Sequence, residues 1–256
     1  MAEFTPSYPD LRDRGVLVTG GGSGIGAAFV RAFSEQGAKV AFIDISETAS
    51  RTLAASLNET ARHPVLYLKA DLRDVDAVKT CVETAASTFG GLGVLVNNAG
   101  WDDRHDLADV TEDYWDDNQA INLKQMFFAA QAAAPHLIRD GHGAIVNLSS
   151  IAFLLNMGSL PSYAAAKAGI LGLTKSLAGR LGPQGVRVNA ILPGMVVTER
   201  QKELWLTDES IATMLDRQCL KRTLLAEDMV GPCLFLASSA SAGMTAQSII
   251  VDGGTL

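Results

Sequence analysis

Between Gly15 and Asp44 the chain passes through four stretches in a fixed order. Apolar Gly15-Val-Leu-Val-Thr19 leads into the cluster Gly20-Gly-Gly-Ser-Gly-Ile-Gly26. An amphipathic stretch from Ile25 to about Gln36 follows, closed by Gly37, and then apolar Lys39-Val-Ala-Phe-Ile43 ends on Asp44. Short apolar runs of this kind suit strands buried on both faces of a parallel sheet, and Gly37 suits a helix C-terminus. Parallel neighbours need crossover connections, so this opening commits the rest of the chain to alternating strand and helix. The glycines allow backbone to approach a pyrophosphate, and the helix N-terminus directs N–H groups at its charge. Asp44, 24 residues past Gly20, falls where such a fold sets a carboxylate against the adenosine ribose hydroxyls. Its charge opposes the 2′-phosphate of NADP, so NAD is favoured and NADP is the lesser possibility. Ser46 is placed to cap the next helix, Glu47 to about Thr60.

The alternation continues. Val65–Lys69 is a third strand, ending at Ala70-Asp71-Leu72, and a helix from Val75 to Phe89 stops at Gly90-Gly-Leu-Gly93. The fourth strand, Val94-Leu-Val96, opens into Asn97-Asn-Ala-Gly100 and then a charged loop, Trp101-Asp-Asp-Arg-His105-Asp106. Ligands bind at the carboxyl ends of strands in these sheets, so the loop is expected to contact a polar or polyhydroxylated substrate. The spacing of Asp102, Asp103 and His105 matches no common metal site, and no metal is expected. Thr111 to Leu137 reads as one long helix ended by Pro135 and Gly141. Asn122 in its middle disfavours helix and needs a partner, which a break in the helix or a bound water supplies.

Ala144–Leu148 is the fifth strand, Val186–Ile191 the sixth and Ser248–Val251 the last, with a helix from Glu227 to Ala237 before it. The mixed block from Glu199 to Leu220 has the character of a mobile flap over the substrate. No repeat or linker divides the chain. Residues 1–256 are expected to form a single doubly wound α/β domain.

Tyr163 and Lys167 lie four residues apart in an alanine-rich helix that starts at Pro161 and Ser162 and runs to about Leu181. That spacing puts both on one face. A lysine ammonium there stabilises the phenolate and lowers the tyrosine pKa, which suits proton exchange with an alcohol or carbonyl near neutral pH. Ser150, at the end of the fifth strand, is placed to share the substrate oxygen with Tyr163.

Composition narrows the partners. A formal charge of −7 opposes nucleic acids and acidic membranes. Three cysteines, Cys81, Cys219 and Cys233, have no metal or Cys-x-x-Cys spacing and read as buried, reduced side chains of a cytosolic protein. Met1 to Asp10 lacks an apolar run, and no segment approaches a membrane span. A soluble, cytoplasmic protein with a small-molecule substrate is expected.

With these pieces in place the sequence resembles the classical short-chain dehydrogenase/reductase family over essentially its whole length. The signs are Thr19-Gly-Gly-Gly-Ser-Gly-Ile-Gly26, Asn97-Asn-Ala-Gly100, Ser150 with Tyr163-x-x-x-Lys167, and Pro193-Gly194. The resemblance implies a Rossmann-like seven-stranded parallel sheet with helices on both faces, NAD(H) or NADP(H) as cofactor, and a homotetramer. It implies that Gly20, Ser23, Gly24, Ile25 and Gly26 hold the pyrophosphate side and Asp44 the ribose, with Asp71 and Leu72 beside the adenine. Asn98 and Gly100 lie along the cofactor, and Pro193, Val196 and Thr198 lie at the nicotinamide. Tyr163 is implied as general acid/base and Ser150 as the residue that orients the substrate oxygen. Lys167 is implied to bind the nicotinamide ribose and lower the Tyr163 pKa, and Asn122 to hold a proton-relaying water. Gly100-Trp-Asp-Asp-Arg-His105 and Gln218-Cys-Leu-Lys221 resemble the sugar 1-dehydrogenases of D-xylose and L-fucose type. These oxidise the anomeric carbon of an aldose such as L-fucose, D-xylose, L-arabinose or D-galactose to a lactone. Substrate contacts are then expected from Trp101, Arg104, His105, Asn156, Met195, Gln201 and Trp205, besides Ser150 and Tyr163.

Two other readings share these motifs. A 3-oxoacyl thioester reductase or hydroxysteroid dehydrogenase suits the apolar flap residues, but Asp44 and the polar 101–106 loop speak against an NADPH-using acyl reductase. A non-catalytic NAD-binding sensor would carry the same fold, yet all four catalytic positions hold functional residue types.

Overall fold

The computed structural model describes residues 6–204 and 206–256. Strand β1 (Gly15–Thr19) is wholly buried and turns through the glycine cluster into α1 (Gly24–Glu35). β2 (Lys39–Asp44), α2 (Glu47–Asn58), β3 (Leu66–Lys69), α3 (Val75–Phe89) and β4 (Val94–Asn97) follow. The second half comprises α4 (Glu112–Gln119), α5 (Gln125–Asp140), β5 (Ala144–Leu148), α6 (Pro161–Leu181), β6 (Arg187–Pro193), α7 (Glu199–Leu204), α8 (Asp208–Arg217), α9 (Val230–Ala237) and β7 (Ser248–Val251). Seven parallel strands pair in the order β3-β2-β1-β4-β5-β6-β7. The order reverses between β1 and β4, and a crevice opens beyond their carboxyl ends, as it does in doubly wound sheets.

Alternation along the strands feeds two cores. Val16, Val18, Val40 and Phe42 pack on Phe29 and Phe33 of α1 and Leu234 of α9. Leu17, Ala41, Ile43, Leu95 and Ile145 face the opposite way, onto Val78 and Val82 of α3, Leu137 of α5 and Ala178 of α6. Each fully buried Phe or Leu contributes roughly 1.5–3 kcal/mol relative to exposure. Polar side chains inside the sheet are paired across it. Asn97 and Asn147 are register partners, with Asn97 Nδ2 donating to Asn147 Oδ1 at 2.9 Å and Asn147 Nδ2 to Thr174 Oγ1 at 3.0 Å.

The structure corrects three local expectations, and at Asn122 it shows the break in the helix that was one of the two alternatives. Ser46 precedes α2 but makes no side-chain cap; its own N–H donates to Asp44 Oδ1 at 2.8 Å, so the turn is built by the aspartate. The predicted long helix is interrupted by a π-helical turn at Ala120–Lys124, with Asn122 buried inside it. Pro135 does not end α5, which runs on to Asp140. Pro135 and Gln131, whose carbonyl loses its helical donor, both sit on the exposed side, where water replaces the missing bond. Cys81 and Cys233 are buried as expected, but Cys219 is exposed, because its segment crosses the surface after α8. Among the described residues no helix is long and apolar enough to cross a membrane.

Candidate active site

A cleft of about 1180 Å³ lies over the β1/β4 switch point. At one end sits the glycine loop. Gly20 has φ +67°, and a Cβ there would stand 2.8 Å from the Ala99 Cα, so only glycine turns the chain this close to β4. A Cβ at Gly26 would stand 1.9 Å from the Gly20 carbonyl oxygen and 2.6 Å from Asn98 Nδ2. Bare backbone here lets α1 start against the turn, with Ser23 and Gly24 exposed to the cleft. Asn98 braces the turn from β4: its Nδ2 donates to Gly20 O at 2.9 Å and to Thr19 O at 3.1 Å. Asp44 is held rigidly, Oδ2 accepting from Gly22 N and Oδ1 from Ser46 N, each at 2.8 Å. The N-terminus of α1 opening on the cleft, a cradle with no room for side chains and a fixed carboxylate beyond it fit a dinucleotide. Asp71 and Leu72 line the same end, Asp71 paired with Arg73 at 2.7 Å. Ile25, Gly100, Pro193, Val196 and Thr198 continue the lining toward the other end.

That other end holds Ser150, Tyr163 and Lys167. Ser150 leaves β5 in extended conformation, and its Oγ accepts from Ala152 N at 3.1 Å. One turn of α6 separates Tyr163 from Lys167, whose Nζ lies 5.3 Å from the tyrosine ring centroid and donates to Leu148 O at 2.9 Å. The lysine is 3% exposed, and burial lowers its pKa to about 8, against a raising influence from Asp102. Lysine was expected to lower the Tyr163 pKa. Instead, burial pushes the phenol up and the Asp102 charge adds to this, while a hydrogen bond with Ser150 opposes them.

Asn122 finds its partners in the loop after β4 and in α4. Its Oδ1 accepts from Trp101 N at 2.9 Å, and its Nδ2 donates to Trp101 O at 2.9 Å and to Asn118 O at 3.0 Å. The side chain is spent as a clamp on the Trp101 peptide, which Asn118 Nδ2 also reaches at 3.3 Å.

Of the expected substrate contacts, Trp101, Arg104, Met195 and Gln201 line the cleft beside Ser150 and Tyr163. His105 and Asn156 are outside the lining. The His105 ring packs edge-on against Tyr114 at 4.8 Å, with Nδ1 3.0 Å from the Tyr114 hydroxyl, and Asn156 is an exposed turn residue with φ +51°. Polarity suggested both; His105 is engaged by Tyr114, and Asn156 stands in a separate, exposed turn. Trp205 lies outside the described residues. Sequence reasoning did not single out Met157, Leu160 or Thr255, all of which reach the cleft together with Met214 of the expected flap. Asp102, part of the loop expected to contact a polar substrate, also lines the cleft, and its Oδ2 accepts a hydrogen bond from Gln201 Nε2 of α7. Asp103 pairs with Arg200 at 3.2 Å, so two neighbouring acids tie the loop to the expected flap. Among the described residues no group of His, Cys, Asp and Glu is placed to hold a metal.

Comparison with known proteins gives the chain's relatives. A family model described as enoyl-(acyl carrier protein) reductase matches residues 20–255. A protein of Rhizobium meliloti (strain 1021) described as "probable galactose dehydrogenase" is 61% identical over 96% of this chain and 96% of its own. D-xylose 1-dehydrogenase of Caulobacter vibrioides is 44% identical over 96% of this chain and 97% of its own. A solved structure from Sinorhizobium meliloti 1021, assigned to the short-chain alcohol dehydrogenases, superposes with a TM-score of 0.91 at 36% identity, covering 96% of this chain and 97% of that one.

Proposed function

The chain belongs to the short-chain dehydrogenase/reductase family of NAD(P)-dependent oxidoreductases acting on CH–OH groups, and on that footing we propose that it oxidises the anomeric carbon of an aldose to the lactone. The observation that carries this reading is the opening of Tyr163, Ser150 and Lys167 into the same cleft as the glycine loop and Asp44, under a polar loop. The galactose and D-xylose relatives add the substrate class. NAD is the preferred cofactor because Asp44 fixes a negative charge at the ribose end.

Gly20, Ser23, Gly24, Ile25, Gly26 and Asp44 hold the adenosine and pyrophosphate side, while Lys167, Pro193, Val196 and Thr198 hold the nicotinamide side. When bound, NAD⁺ supplies the acceptor for the C1 hydrogen and its electron pair. Ser150 accepts or donates at the substrate oxygen and keeps it within reach of Tyr163. Tyr163 takes the hydroxyl proton as the C1–O double bond forms, so aldose and NAD⁺ give lactone, NADH and a proton. The upward push of burial on Tyr163 is opposed by Ser150, and the positive charge of bound NAD⁺ would oppose it further. Lys167, with its pKa near 8, is mostly cationic at pH 7 and keeps N–H groups for the ribose beyond the one given to Leu148. Asn122 holds the Trp101 peptide, so the loop is preformed. Exposed Trp115 and Phe127, each at 41%, support a homotetramer packed through the α4/α5 face, and the three unpaired cysteines support a cytoplasmic setting.

The test is NADH formation, followed at 340 nm, across L-fucose, D-xylose, L-arabinose, D-galactose, secondary alcohols and hydroxyacyl thioesters. Turnover with aldoses and NAD⁺ is expected. Silence with every aldose and turnover of a thioester or steroid alcohol overturns the reading.

A further inference from the structure

Asp102 is a half-buried carboxylate in the cleft wall, and its placement is fixed from both sides. The residue before it has its N–H and C=O clamped by Asn122, each at 2.9 Å, and its ring packs on Tyr114 at 5.2 Å. On the other side the Tyr114 hydroxyl lies 3.0 Å from His105 Nδ1, and His105 N donates to Ser159 O at 3.0 Å. A charged loop this restrained holds its carboxylate to one position, the condition under which polar recognition is selective.

That position faces the chemistry. The Asp102 charge reaches both Tyr163 and Lys167, and its Oδ2 is bonded by Gln201 Nε2 across the mouth of the cleft. An ionised carboxylate has about four acceptor sites, and an amide nitrogen has two donor hydrogens. The Asp102–Gln201 pair therefore offers a strong acceptor and a donor side by side. A sugar hydroxyl, which donates one bond and accepts others, matches that pair. A steroid ring or acyl chain would desolvate the carboxylate and return nothing.

We propose that Asp102, with Gln201, is the specificity-determining residue of the substrate site, binding one ring hydroxyl of the aldose away from C1. The proposal rests on the aldose reading above. A site built to bond a hydroxyl rejects the analogue lacking it far more strongly than an apolar pocket rejects a small change in size.

The test is a cycle between protein and substrate. Values of kcat/KM are measured with NAD⁺ for the best aldose and each of its monodeoxy analogues, on the wild type, Asp102→Ala and Asp102→Asn. Gln201→Ala serves as a second probe, and NAD⁺ affinity by fluorescence titration shows that each variant is folded. For one analogue the wild type should lose at least about 100-fold. Asp102→Ala should lose a comparable factor on the parent sugar and nothing further on that analogue, and Gln201→Ala should weaken the same position. An equal loss by Asp102→Ala on every sugar, with the wild-type preference among analogues intact, means a tether only and overturns the proposal while leaving the aldose reading standing. A wild type that turns over no aldose overturns both.

Discussion

Lys167 places its Nζ 5.3 Å from the centre of the Tyr163 ring and donates to the Leu148 carbonyl, coupling α6 to the end of β5. The cation is bought at the expense of folding free energy, since burial lowers its pKa from 10.5 to about 8. Such a contact has consequences for stability that differ from those for turnover.

Below pH 8 the folded protein carries a buried ammonium, and the penalty is fully present. Between about pH 8 and 10.5 the unfolded chain binds the proton and the folded one does not, so this contribution to stability rises with pH. A shift of this size corresponds to about 3 kcal/mol, less about 1 kcal/mol for the bond to Leu148. Lys167→Met should therefore be more stable than wild type by about 2 kcal/mol at pH 7, with the gap narrowing by pH 9.5, while turnover is lost. Urea unfolding of both proteins at the two pH values measures this. A variant less stable than wild type at pH 7 would contradict it.

Asp44 accepts from Gly22 N and Ser46 N at 2.8 Å each, so it shapes the loop as well as carrying charge. Asp44→Ala should raise the KM for NAD⁺ by roughly 10–100-fold, the worth of a charge-assisted bond. The preference should move toward NADP⁺ as repulsion of its phosphate disappears. Initial rates with each cofactor give the ratio, and an unchanged ratio would remove Asp44 from cofactor selection.

Gly26→Ala puts a methyl group 1.9 Å from the Gly20 carbonyl oxygen, a distance no local adjustment absorbs. NAD⁺ affinity should fall by at least about tenfold as the turn is pushed open. Titration of the tryptophan fluorescence with NAD⁺ reads this directly, and full-strength binding would show that the loop does not form the cradle.

What the sequence made legible was local. The strand–turn–helix up to Gly37, the carboxylate on Asp44 and the four-residue spacing of Tyr163 and Lys167 each follow from neighbours along the chain, and all reach one cleft. The bond between Asp102 and Gln201 spans 99 residues, and no periodicity announces it. His105 has the right chemistry for a sugar but is outside the cleft lining, because its ring is engaged by Tyr114, a partner that composition does not reveal. Asn122 was marked by its poor helix propensity, and the π turn explains how the chain accommodates it. The upward push on Tyr163 was invisible because burial, unlike spacing, is a property of the finished fold.

The central claim is that Tyr163 moves the proton in an NAD-dependent aldose oxidation, and Tyr163→Phe tests it most directly. With the best aldose, the variant should lose at least about 100-fold in kcat, the scale of general acid–base catalysis, while its NAD⁺ dissociation constant stays at the wild-type value. Turnover at the wild-type rate with the hydroxyl gone would contradict the account.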